Sequence, residues 1–322
     1  TGNVTNLGTA GGSSLTVPGG PRGLVRFPGP VSGVSGFSFA DGTTVRFDGD
    51  VSLSGGDTGN SFLGNVVLDG LTFTSSQALL FGNNAGVDQV TLSGGAAVVS
   101  TAAVNQPITF TARVDGGQSL TVNSGTGTTT FNGAVGGTTA LASLTTDAGG
   151  TTNLNGGSVT TTGAQTYNDA VVVGANVTLT TTSGPVLFSQ DVSGAFSLTI
   201  TGGTGNVTFS STIGAGANPD PTGVVITTSG NITFTGAVNT GGGITLSGAD
   251  VSINSGIYSS AAGNLQVTNS GIFTILDTTS ALDDTSADLN ILGSFTQISG
   301  GGGSAVSIQG DIVTSAGNSI TF

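Results

Sequence analysis

The chain of 322 residues contains no Cys, Met, Trp or His, and neither Lys nor Glu occurs in it. Its whole ionisable complement is 17 Asp, two Tyr and four Arg: Arg22, Arg26, Arg46 and Arg113. Each absence removes a class of function. Without Cys there is no disulfide framework and no thiolate metal site. Without His or Lys, a Ser or Thr nucleophile has no general base, so a Ser-His-Asp triad is excluded. The formal net charge of −13 leaves no basic patch to neutralise nucleic-acid phosphates or an anionic membrane surface. No stretch approaches the ~20 apolar residues of a membrane-spanning helix, and the longest apolar runs, such as Ala170 to Val173, have strand length. The sequence opens mid-pattern with Thr-Gly-Asn-Val-Thr and has no initiator Met or signal peptide, which reads as a processed product or a window of something longer.

What is present is Gly (58 residues), with Thr, Ser, Asn, Val and Ala filling most of the rest. A Gly/Ser-rich, charge-poor chain can be disordered. Here 36% of residues are hydrophobic, mean hydropathy is +0.29, and Val, Ile, Leu and Phe alternate with polar residues, so the chain has surface to bury and folds. The Asp residues are dilute, about one per repeat, and read as solubilising.

The repeat is the main signal. Aromatic anchors recur at Phe27 and Phe47, at Phe110 and Phe131, at Tyr167, Phe188, Phe209 and Phe234, and then at Ile253, Phe273 and Phe295. Phe110 and Phe131 are 21 apart, as are Tyr167, Phe188 and Phe209. Four residues after most anchors stands a β-branched residue (Val114, Val135, Val171, Val192, Ile213, Val238), and two before stands another (Ile108, Val186, Val207, Ile232, Val251). In Ser197 to Gly214 the unit reads strand, Gly-rich turn, strand, corner. Alternation places Leu198, Ile200, Val207 and Phe209 on one face and Thr on the other, where β-branching favours extended backbone.

A unit of about 21 residues cannot bury its own face, so each must cover the next in a solenoid. The expected fold is an all-β parallel β-helix over 1–322, right-handed by the usual chirality of parallel crossovers. Its expected core ladder is Phe110, Phe131, Tyr167, Phe188, Phe209, Phe234, Ile253 and Phe273. Roughly 15 rungs at ~4.8 Å would span on the order of 70 Å. Residues 52–105 lose the offset rule and are expected to be less regular. Loop excursions are expected near 214–222, around Ala-Asn-Pro-Asp-Pro, and at 276–290. An antiparallel sandwich would need a unit of about 100 residues and does not fit the period.

Candidate chemistry is sparse. Asp48 and Asp50, on the same side of a strand and near Arg46, form the best local carboxylate pair for a polysaccharide lyase or hydrolase; a solvated rung edge accounts for them equally well. Asp283, Asp284 and Asp288 would supply oxygen ligands if the chain binds Ca2+, although no Gly-Gly-x-Gly-x-Asp run occurs. Gly202 to Gly205 and Gly300 to Gly303 lack the following helix and Lys of a phosphate loop and read as turns. The Asn-x-Thr sequons at Asn3, Asn176, Asn206 and Asn231 recur where a strand opens, the position of an Asn in a turn. No cofactor is expected.

The units GTTTFNGAV (127–135), GNVTFSSTI (205–213) and GNITFTGAV (230–238), with AQTYNDAVVV (164–173), make the chain resemble large repetitive bacterial surface proteins of the filamentous-haemagglutinin and β-strand-repeat adhesin type. The likeness covers about residues 105–322 well and the first hundred loosely. It implies secretion, a β-helical shaft, and adhesion or matrix building, and it carries over no functional residue. The leading expectation is therefore a non-catalytic extracellular fibre, adhesin or matrix protein at the cell surface. The uncharged Ser-Ile-Thr-Phe terminus points to end-to-end stacking into a homopolymer, and surface glycans are candidate partners. Two alternatives use the same scaffold. One is a carbohydrate-active enzyme; the other is a glycan- or ice-binding module, which needs a flat outward Thr stack over many consecutive rungs. Counted from the anchors, the Thr positions shift from rung to rung.

Overall fold

The computed structural model describes residues 2–3, 14–18, 23–55, 59–84, 86–214, 219–259, 263–276, 289–300, 305–310, 312–315 and 317–322. Among these there is no helix; every strand pairs in parallel, in a β-solenoid of about 12 turns with rungs about 22 residues apart. By its internal contacts the chain divides into two compact units, Thr1–Thr162 and Gly163–Phe322.

The first unit has three sheets. One stacks Leu24–Phe27, Thr44–Phe47, Asn65–Asp69, Gln89–Ser93 and Arg113–Asp115. The second stacks Val31–Val34, Val51–Leu53, Thr72–Ser75, Ala97–Ser100, Ser119–Asn123 and Ser143–Thr146. The third runs from Ser14–Val17 through Gly36–Phe39, Asn60–Phe62, Leu79–Phe81, Ile108–Phe110 and Thr128–Phe131 to Thr151–Leu154. Each rung visits the three sheets in turn. The second unit repeats the plan. One sheet runs from Val177–Thr181 to Ile320–Thr321 and another from Gln165–Tyr167 to Ala305–Ile308. On the third side Val192, Ile213 and Val238 are joined by single parallel bridges.

Alternation explains the core. In Ser197–Thr201, Leu198 and Ile200 are fully buried while Ser197, Thr199 and Thr201 face outward. The inward residues then meet their equivalents one rung away: Val207 pairs with Ile232 and Phe209 with Phe234. Corners require glycine where a carbonyl of the preceding rung comes too close for a side chain. Gly116 (φ 126°) lies against the Leu92 oxygen and Gly194 (φ 119°) against the Val173 oxygen.

Aromatic rings share one orientation over several rungs. Phe62, Phe81, Phe110 and Phe131 follow at centroid distances of 5.4, 5.0 and 5.2 Å, with interplanar angles of 12°, 10° and 8°. In the second unit Tyr167, Phe188, Phe209 and Phe234 follow at 5.1, 4.6 and 5.2 Å. Offset pairs of this kind add about 0.5–1.5 kcal/mol each beyond area burial. The Tyr167 ring is fully buried, and its hydroxyl donates to Gln165 Oε1 at 3.0 Å. Burial pushes the pKa of that hydroxyl well above its ordinary value.

The register corrects the anchor series in two places. Phe27 and Phe47 stack on each other at 5.0 Å in the first sheet, whereas Phe110 and Phe131 belong to the third. The distance from Phe47 to Phe110 is three times 21, so the two look in phase. The rungs that follow Phe47 are longer, however: Phe47 pairs with Leu68 and Leu68 with Leu92, a rung of 24. In the second unit Phe234 pairs with Ile253 and Ile253 with Ile275; Phe273 stands one inward position earlier, beside Val251. Phe295 lies in another sheet, paired with Leu265. All eight expected ladder residues are buried.

Rung lengths also set the turn count. They run from 20 residues, Val25 to Val45, to 30, Leu265 to Phe295. The two longest, Leu198 to Val224 and Leu265 to Phe295, span the expected excursions near 214–222 and 276–290. The described stretches of 52–105 keep parallel register, with Val66, Val90 and Val114 in one column.

Candidate functional site

All described basic side chains stand on the outward face of one sheet of the first unit. Arg26 and Arg46 occupy the same register column one rung apart, and Arg113 follows in the neighbouring column, paired with Gln89. Asp48 lies between the first two. Its carboxylate accepts Arg26 Nε and Arg46 Nε, each at 2.5 Å, and Arg46 also pairs with Asp69 on the next rung. Arg113 repeats the motif, with Nε 3.3 Å from Asp115 and Nη2 donating to Gln89 Oε1 at 3.1 Å. The result is an alternating ladder, Arg26–Asp48–Arg46–Asp69, across three rungs.

Asp48 is only 10% exposed. Burial works to raise its pKa, but the hydrogen bonds from Arg26 and Arg46 and their charges outweigh it, so the net shift is downward. A glycosidase general acid needs the opposite shift. Asp50, its expected partner, is used elsewhere: its Oδ1 accepts the Thr72 N–H at 2.8 Å. The two carboxylates therefore bind separate groups and each ties one rung to another.

Asp50 belongs to a wider pattern. At several strand openings an Asn or Asp immediately before an apolar residue accepts the backbone N–H of its register partner on the next rung. Asn65 serves Gln89 at 2.9 Å, Asn176 serves Ser197 at 3.1 Å and Asn264 serves Ser294 at 2.9 Å. Asn206, Asn231 and Asp250 form a continuous run, serving Asn231, Asp250 and Ile272 at 2.9, 3.1 and 2.8 Å. Three of the four sequon asparagines are thus rung-to-rung acceptors; the side chain of Asn3 lies outside the described residues. Other carboxylates do the same at corners. Asp115 accepts Thr138 and Thr139 N–H, and Asp147 reaches back to Ser124 and Gly125 N–H. Asp191 accepts Ser211 and Thr212 hydroxyls, which hold its pKa down against burial.

Reading these Asp residues as solubilising missed the role. The signal was present as the recurrence of Asn or Asp one residue before a strand's first inward side chain, in Asp50-Val51, Asn206-Val207, Asn231-Ile232 and Asp250-Val251.

The expected Ca2+ ligands Asp283, Asp284 and Asp288 lie outside the described residues. Among the described residues no group of three or more carboxylates is placed to hold a metal ion. A cleft of about 390 Å³ in the first unit is lined by Asp41, Thr44, Asn65, Val87 and Asp88; Asp88 spends one carboxylate oxygen on the Asn83 and Asn84 N–H groups, both at 2.9 Å. Gly202 to Gly205 form a turn closed by Gly205 N–H to the Gly202 oxygen at 2.9 Å. No described helix is long and apolar enough to cross a membrane.

The fold and these ladders define a β-helix repeat protein. No protein-family model, curated protein or solved structure matches the chain.

Proposed function

We propose that the chain is a non-catalytic structural or adhesive protein that acts outside the cell, as a fibre or shaft at the cell surface or in a biofilm matrix. The observation that carries this reading is rung-to-rung stacking in register. Aromatic rings inside, Arg–Asp pairs and Asn/Asp acceptors outside all join one rung to the next. Such a sequence makes each rung's stability depend on its neighbours, which suits a part that must hold its length and stiffness. The carboxylates that a carbohydrate-active enzyme would need are bound into those ladders.

Self-association into a homopolymer belongs to the same proposal, since parallel strands of one copy can pair with those of another through the same backbone bonds. Surface glycans are the proposed adhesive target. The test is to raise antibodies to the purified chain, label intact source cells, and delete the gene. Surface or matrix labelling, with loss of adhesion or matrix cohesion on deletion, is expected. Labelling confined to the cell interior, or polysaccharide cleavage by the purified chain that disappears in Asp48→Asn or Asp50→Asn, would overturn the reading.

A further inference from the structure

One sheet of the second unit carries a second kind of order on its outer surface. It is built from Val177–Thr181, Ser197–Thr201, Gly223–Thr227, Ile244–Gly248, Leu265–Asn269 and Phe295–Ser299. Its outward side chains stand in two columns. The first runs Thr178, Thr199, Val225, Thr245, Gln266 and Thr296. Beside it, Thr180, Thr201 and Thr227 are followed by Ser247, Thr268 and Ile298. Spacing along the sequence hides this alignment, because the corners absorb the difference between rungs of 20 and 30 residues.

Preference for extended backbone accounts for Thr at any outward strand position. It does not account for the rest of the composition. Neither column contains a charge, in a chain with 17 Asp, while the first unit places Arg26 and Arg46 in an outward column of its own sheet. Where Thr is missing, an aliphatic side chain is left in water: Val225 is 40% exposed and Ile298 43%. The face is therefore a lattice of hydroxyls and methyls. Its repeats are about 4.8 Å from rung to rung and about 6.6 Å between alternate residues of one strand. Thr and Val are stiff at χ1, and each strand is held on both sides, so the groups are ordered before any ligand arrives.

A soluble ligand has no use for a two-dimensional repeat; a crystal surface does. We infer that this face binds ice, with water on the hydroxyl rows and between the methyls taking up the spacing of oxygen rows in hexagonal ice, which both repeats approach. A crystalline polysaccharide would also present a repeat, but sugar rings favour flat aromatic platforms, and the two columns contain no aromatic ring.

The test is made on the purified whole chain with ice as the probe, by freezing hysteresis and by partition into a slowly growing ice front. The wild type is expected to arrest ice growth and to enter the ice. Thr199→Tyr and Thr227→Tyr should each lose most of both effects with an unchanged circular dichroism spectrum. Thr227→Ser, which removes a single methyl, should lose part of them. Thr233→Tyr, outward on another sheet of the same unit between Thr208 and Ser252, should keep them. The inference is overturned if the wild type is excluded from ice, if the Tyr variants match it, or if it binds crystalline cellulose and not ice.

Discussion

Asn206 and Asn231 stand one rung apart, and the side-chain oxygen of the first accepts the backbone N–H of the second at 2.9 Å. Asn231 repeats the bond to Asp250, and Asp250 to Ile272. The acceptor matters here rather than the amide, since Asp fills the same position. Asn231→Ala should lower stability in urea by about 1 kcal/mol, while Asn231→Asp keeps most of it. Equal losses in the two variants would remove the acceptor role.

Gly184, Gly205 and Gly230 mark a corner where rungs meet backbone to backbone. A Cβ on Gly205 would overlap the Gly184 carbonyl oxygen, and one on Gly230 the Gly205 carbonyl. Neither atom belongs to a side chain that can swing aside, so the rungs themselves must part. Gly205→Ala should therefore cost about 1–3 kcal/mol. At Gly241 the nearest atom would lie 3.7 Å away, and Gly241→Ala should stay within about 0.5 kcal/mol of wild type. Thermal and urea denaturation of the two variants makes the comparison.

The ion-pair ladder has a defined pH window. The folded state depresses the pKa of Asp48 below its unfolded value, and that of Asp191 likewise. Each group therefore contributes stability that is complete above the unfolded value of about 3.9 and is lost as pH falls through the depressed folded value. Arg26 is 48% exposed, so solvent screens its share to below about 1 kcal/mol. Urea midpoints measured between neutral pH and pH 2 should fall below about pH 4. Asp48→Asn should flatten part of that fall, and an unchanged slope would contradict the assignment.

Phe188 and Phe234 enclose Phe209, at 4.6 and 5.2 Å. Stacking continuity makes this ring a link between two rung interfaces. Phe209→Ala should cost about 3–5 kcal/mol, and Phe209→Leu, which keeps most of the volume, clearly less. A loss below about 1 kcal/mol for the Ala variant would mean that neighbours collapse into the space.

Alternation and period made the solenoid legible: Leu198, Ile200, Val207 and Phe209 are inward as their spacing requires. Phase was not legible. All three sheets present the same apolar-polar-apolar pattern, so a Phe on one resembles a Phe on another, and rungs of 21 and 24 residues shift the count unseen. This is why Phe47 and Phe110 looked equivalent. The same blindness scattered the Thr columns. Asp48 and Asp50 were visible as a pair, yet their partners Arg26 and Thr72 lie 22 residues away, so spacing alone could not tell a catalytic pair from two ties between rungs.

The central claim, that stacked rungs in register make this chain a structural fibre or shaft, is tested most directly by cryo electron microscopy of the native material on the cell surface. The account predicts unbranched fibres or rods with an axial repeat near 4.8 Å that carry the chain's epitopes. Labelled material without that repeat, or epitopes found only on dispersed single molecules, would contradict it.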